Sequence, residues 1–209
     1  MSEYFTLAEL RERGWSPTMI RKMLDPPDLL RPNPVFRSAS PMRLYETERV
    51  MLAERSESFA VLRAGATRQS EAAKAAAERR RGETLAGVEE VRIAIPVLEW
   101  DVLARRAVDH RNRRDAERAW DRVDHIPKPA RLKEVDGPTL RRWMVNYLRH
   151  NLTAYDAELG QLFGKVGRAE GSRLLQRRIY AAIAEAYSVL AEECRRQLHE
   201  RQQQTGEDR

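Results

Sequence analysis

A chain of 209 residues with 42% apolar side chains is long enough for one or two domains with a real core. Its 33% charged and 7% aromatic residues favour a helical protein with solvated faces, and its formal charge of +6 suits a polyanionic partner without dictating a fold. One cysteine, Cys194, rules out an internal disulfide and a cysteine zinc cluster, and no run of about 18 apolar residues or signal-peptide core occurs, so a cytoplasmic protein without a membrane span is expected.

In chain order, the first signal is "TLAE" at Thr6–Glu9, a capping box in which the Thr6 hydroxyl accepts from the Glu9 amide and Glu9 reaches back to the Thr6 N–H. It predicts a short helix to about Arg13 with Leu7 and Leu10 on one side. "RGWSP" then breaks the chain: Gly14 suits a left-handed cap, Ser16 an N-cap and Pro17 the first position of a second helix. That helix, "PTMIRKML", turns Ile20 and Leu24 inward, and the prolines of "DPPD" stop it.

The ribbon "RPNPVFRSASPMRLYETERV", Arg31 to Val50, follows. It carries Arg31, Arg37 and Arg43 with no acid among residues 31–43, although residues 1–62 as a whole balance nine basic against nine acidic side chains. Its "VF" and "MRLY" read as short strands either side of a turn, after which "ETERVMLAER" returns to helical spacing with Val50 and Ala53 inward. Helix, tight turn, helix, ribbon and helix is the order of a small winged helix-turn-helix.

Residues 56–82 are Ala-rich and strongly helix-favouring, and Gly82 is expected to end the helix. "VRIAIP" at 91–96 fits either one strand or an extended strut. From Val97 to about Val123 the spacing is helical, with Val97, Leu98, Val102, Leu103, Ala107 and Trp120 as inward candidates, and "HIPKPARLKEVDGP" is a linker. From Pro138, apolar residues from Leu140 through Tyr147 to Leu159 recur at threes and fours. "GQLFGKVG" turns the chain, and a second helix from about Ala169 places Leu175, Ile179, Ile183, Tyr187, Leu190 and Cys194 on one face. The two should pack as an antiparallel hairpin, and the polar tail after Leu198 should fray.

The stretch "LRERGWSPTMIRKML…RPNPVFRSASPMRLYETERV" resembles the MerR- and excisionase-like winged-helix DNA-binding domain. Within it, Asn33–Pro34 and Met42–Tyr45 are similar to the C-terminal DNA-binding subdomain of the xeroderma pigmentosum A repair protein. The resemblance covers residues 4–55. It implies a recognition helix at Ser16–Leu24 with Thr18, Arg21 and Lys22 toward the groove or phosphates, and a wing that contacts DNA through Arg31, Arg37 and Arg43. Tyr45 matches a family position and serves equally as a packing anchor. The repair family's four-cysteine zinc module and the long MerR dimerisation coiled coil are both missing from this sequence, so neither whole activity carries over. Residues 141–156, "RRWMVNYLRHNLTAYD", resemble a segment of bacterial proteins with the same N-terminal domain, which brings no activity with it.

The four histidines, His110, His125, His150 and His199, lack metal-ligand spacing, and "GKVG" lacks the P-loop spacing. No catalysis, cofactor or metal is expected. The sequence thus predicts a mainly α protein: a winged helix-turn-helix with a small β wing at 1–55, a connecting helix at 56–82, a helical domain at 83–200 containing a helix hairpin, and a flexible tail at 201–209. Its expected function is DNA binding in regulation or DNA maintenance, with the C-terminal helices left to form a homodimer or hold a protein partner. The alternative is a non-enzymatic module whose winged helix binds a protein or RNA.

Overall fold

The computed structural model describes residues 3–33, 40–122 and 124–207. Among them the chain is mainly helical, with a small three-stranded antiparallel sheet. It divides into two compact units, residues 1–77 and 78–209.

The first unit begins with strand β1 (Tyr4–Thr6), helix α1 (Leu7–Glu12) and helix α2 (Pro17–Met23). The capping box at Thr6 forms in full: Glu9 N–H donates to the Thr6 hydroxyl at 3.3 Å and Thr6 N–H to the Glu9 carboxylate at 2.7 Å. Gly14 takes φ +93°, a backbone conformation that side chains disfavour, and so turns the chain between the helices. The Ser16 hydroxyl then accepts from Met19 N–H at 3.2 Å with Pro17 in the first turn.

Strands β2 (Leu29–Arg31) and β3 (Met42–Glu46) complete the sheet in the order β1-β3-β2. The register sets Phe5 opposite Tyr45, and Leu30 opposite Arg43. Asp28 ties the strand ends together, since its carboxylate accepts from Glu46 N–H at 2.9 Å and from Arg49 at 2.6 Å. Helix α3 (Thr47–Glu54) packs Val50 into a core of Leu10, Trp15, Met19, Ile20, Leu24, Tyr45 and Phe59. Glu54 closes this core from its edge, accepting from the Arg13 guanidinium and, at 3.0 Å, from the indole N–H of the buried Trp15.

Helix α4 (Glu57–Glu90) runs without a break through Gly82, where a terminus was expected. A glycine inside a helix costs only about 1 kcal/mol relative to alanine, and packing beyond it makes up for that. Arg81 pairs with Glu170 at 2.6 Å, Thr84 and Val88 are buried, and the Arg178 guanidinium donates to the Val88 carbonyl. Residues 91–98 form an extended strut, not a strand of a sheet. Val91, Ile93 and Ile95 alternate toward the core, and the Tyr187 hydroxyl accepts from Leu98 N–H at 2.7 Å and donates to the Pro96 carbonyl at 2.9 Å.

The rest of the second unit is a bundle of helices α5 (Trp100–Asp121), α6 (Gly137–Asn151), α7 (Tyr155–Gln161), α8 (Arg168–Ala186) and α9 (Ala191–Glu207). The apolar stripe expected to form two long helices is divided among four. Leu152 ends α6, and Tyr187 leaves helical geometry (φ −134°, ψ 85°), separating α8 from α9. The most extensively packed neighbours are α5 with α6, and α8 with α9 across the Ser188–Leu190 turn. Arg111 lies over Trp143 and His110 beside Tyr147, while Tyr180 and Gln197, on either side of that turn, meet across the second pair.

Two residues expected inward are exposed: Val97 precedes α5, and Trp120, 91% exposed, lies about 100–140° round the helix from the buried Leu103 and Ala107. The linker after α5 is pinned to it, with Asn112 exchanging two 2.9 Å bonds with Ala130 and Asp115 accepting from Lys128 N–H at 2.8 Å. Helix α9 continues through residues 201–207, where the polar composition alone supplied no packing reason for a helix.

Candidate nucleic-acid interface

Helix α2 positions the first group of candidates. Thr18, Arg21 and Lys22 sit three and four residues apart on one exposed face, opposite the buried Met19 and Ile20. Strand β3 positions the second, because side chains two apart on a strand share a face: Arg43 lies beside Tyr45, on the side covered by α1 and α2.

These elements enclose an open cleft of about 340 Å³ lined by Leu7, Arg11, Pro17, Ile20, Arg21, Asp25, Arg43 and Tyr45. Three arginines from α1, α2 and β3 thus meet round one concavity, with Asp25 as its single carboxylate. Arg11, Arg21 and Arg43 are all exposed and make no ion pair with a described residue.

Tyr45 is fully buried, its ring packed into the unit's core. Tyr45 also lines the cleft, and its hydroxyl, closed off from solvent, has no hydrogen-bond partner within geometric range among the described residues. Burial pushes the phenol above its ordinary pKa, against the pull of the Arg43 charge, so the group is a neutral donor at physiological pH. A buried hydroxyl without a partner is uncommon and costly.

The remaining candidates are dispersed. Arg31 is exposed but pairs with Met42, which puts it on the sheet face opposite Arg43. Arg37 lies outside the described residues. Arg11 was not recognisable as a candidate from sequence. Its only signal is its place one turn after Leu7 on α1, which matters once β3 is known to pack alongside.

Among the described residues no group of three or more histidine, cysteine, aspartate or glutamate side chains could hold a metal ion. No helix among them is long and apolar enough to cross a membrane. Cys194 is buried in the second unit, and burial pushes its thiol up to about 12, so it remains a protonated, inert core side chain. No family model, curated protein or solved structure matches the chain.

Proposed function

We propose that the first unit is a winged helix-turn-helix that binds duplex DNA in a regulatory or DNA-maintenance role, with α2 as recognition helix and the β2–β3 ribbon as wing. The observation that carries this reading is the convergence of the exposed Arg11, Arg21 and Arg43 from three elements round one cleft. Phosphate oxygens accept readily from arginine forks, and such contacts fix a protein's register on a duplex. Thr18 and Lys22 continue the same exposed face of α2 beyond the cleft, where base edges or the next phosphate would lie. The resemblance of residues 4–55 to MerR- and excisionase-like domains agrees with the roles assigned to α2 and the ribbon.

A second reading has its own observation. Leu29 and Leu30 on the outer strand β2 are 37% and 58% exposed, one on each face of the sheet edge, and an apolar edge suits a protein partner better than DNA. The two readings separate on arginine substitution. Arg21→Ala with Arg43→Ala weakens binding to a fluorescent duplex by at least about tenfold, as loss of two charge-assisted contacts requires. Wild-type affinity in the folded double variant contradicts the DNA reading. Loss of partner capture on Leu30→Glu with DNA affinity at background supports the protein reading.

A further inference from the structure

The second unit holds a larger polar cleft, about 510 Å³, between α5, α6 and α9. That volume is in the range of small-molecule sites. Six arginines line it: Arg111, Arg114 and Arg118 from α5, Arg142 and Arg149 from α6, and Arg201 from α9. The two carboxylates among them are already engaged. Asp115 accepts from His125 at 2.9 Å and from Arg111 at 3.2 Å, and Glu200 accepts from Arg196.

Arg149 is the unusual member. It is 3% exposed, and its guanidinium donates to Tyr180, to His150 Nε2 at 2.7 Å and to Asn146 at 3.4 Å. Each acceptor is neutral. His150 can accept only with its proton on Nδ1, the nitrogen that faces Asp156 at 2.9 Å. Tyr180 passes its own proton on to Gln197 at 3.1 Å, which in turn donates to the buried Glu193 at 2.7 Å. The network therefore orients the guanidinium without placing a carboxylate against it. Removing a cation from water without a counter-charge is costly. Arg114, Arg118 and Arg142 likewise make no ion pair with a described residue.

We propose that this cleft binds a small polyanion of the di- or triphosphate class, with Arg149 as its buried cation and Arg114, Arg118 and Arg142 closing round it from the rim. A single carboxylate would leave most of that positive charge unmatched, whereas a diphosphate offers several negative oxygens in the fork geometry that arginine fits. Arg111 is held over the half-buried Trp143 ring, 5.3 Å from its centroid, and beside Asp115, so it shapes the wall while Arg114, Arg118, Arg142 and Arg149 supply the charge.

The test is calorimetric titration of the full chain with inorganic pyrophosphate, with sulfate as the less charged comparison. Pyrophosphate should bind in the micromolar range and sulfate at least about tenfold more weakly, because fewer charge-assisted bonds form. Arg114→Gln with Arg142→Gln, both exposed and so safe for folding, should weaken pyrophosphate at least about tenfold. Arg195→Gln, on an exposed face of α9 away from the cleft, should leave binding unchanged. Arg149→Gln, checked by circular dichroism for an intact fold, should abolish it. Equal affinity in wild type and the Arg114/Arg142 variant overturns the proposal, as does pyrophosphate binding no tighter than sulfate. Displacement of pyrophosphate by a short DNA duplex at micromolar concentration also overturns it, because the phosphates recognised would then be those of nucleic acid.

Discussion

The two units present positive charge in opposite ways. In the first, Arg11, Arg21 and Arg43 stand exposed on three elements, and the only buried polar group at their cleft is the neutral Tyr45 hydroxyl. In the second, Arg149 is buried and held by neutral acceptors. An exposed guanidinium is hydrated and nearly cost-free to keep. It acts at a distance, its effect is screened by salt, and it suits a long polyanion whose charges recur. A buried guanidinium costs stability unless its surroundings or a ligand compensate it, and it acts only at contact. The same residue type thus points to an extended surface partner in one unit and a compact ligand in the other.

Each cleft rests on its own core, and the largest expected effects come from emptying those cores. Leu10→Ala in the first unit and Ile183→Ala in the second remove fully buried side chains. Each should cost about 2–5 kcal/mol in urea denaturation. A variant within experimental error of wild type would show that its helix face is not core.

Next in size is Glu54→Ala, which removes the acceptor shared by Arg13 and the buried Trp15 indole. Leaving that indole N–H unpaired should cost about 1–3 kcal/mol, again by urea denaturation. The comparison predicts no such loss for Arg43→Ala, an exposed cation without an ion pair.

Acid should also distinguish the units. The Arg13 bond, aided by the Trp15 N–H and opposed by burial, holds Glu54 below its ordinary carboxylate value. Its contribution is therefore present above the unfolded pKa and lost as pH falls through the folded one. Burial depresses His110 and His150, with the charges of Arg114 and Arg149 acting in the same direction and Asp156 opposing at His150. For a histidine with a depressed pKa the unfolded state takes up protons first, so stability is full above the unfolded value and falls as pH drops below it. The second unit should accordingly lose stability between about pH 7.5 and 5.5, before carboxylates titrate. Urea midpoints at the two pH values should differ for wild type and converge in His110→Asn with His150→Asn. A gap of equal size in the double variant would contradict the assignment.

The smallest effect expected is that of Thr6→Ala. It breaks the capping box on an exposed helix end and should cost about 1 kcal/mol by the same assay.

Much of the first unit was legible because its signals are local. The Thr6–Glu9 box, the Gly14 turn, the Ser16 cap with Pro17 and the termination near Leu24 each depend on residues within one turn of one another. Strand β1 was not legible, because three residues carry too little periodicity and it exists only through its pairing with β3. The pairing of β2 with β3 separates Arg31 from Arg43, which a count of arginines along the ribbon could not reveal. In the second unit the apolar stripes were readable, but the division at Leu152 and Tyr187 was not. It depends on long-range bonds such as that from Tyr187 to Pro96. The exposed Trp120 shows the limit of reading hydrophobicity alone, since a large apolar side chain was assigned to a core that the helix's rotation denies it. The arginine cleft was invisible for a related reason: Arg114, Arg142 and Arg201 come together only once α5, α6 and α9 have packed.

The DNA reading is tested most directly by fluorescence anisotropy of the full chain with duplex, single-stranded and forked DNA across a salt series, repeated with Arg21→Ala plus Arg43→Ala. Wild type should show clear duplex affinity that falls steeply with salt, and the double variant a slope of log affinity against log salt that is shallower by about 2. Flat traces at low salt, or an unchanged slope in the variant, would contradict that reading and make the exposed arginines a device for solubility.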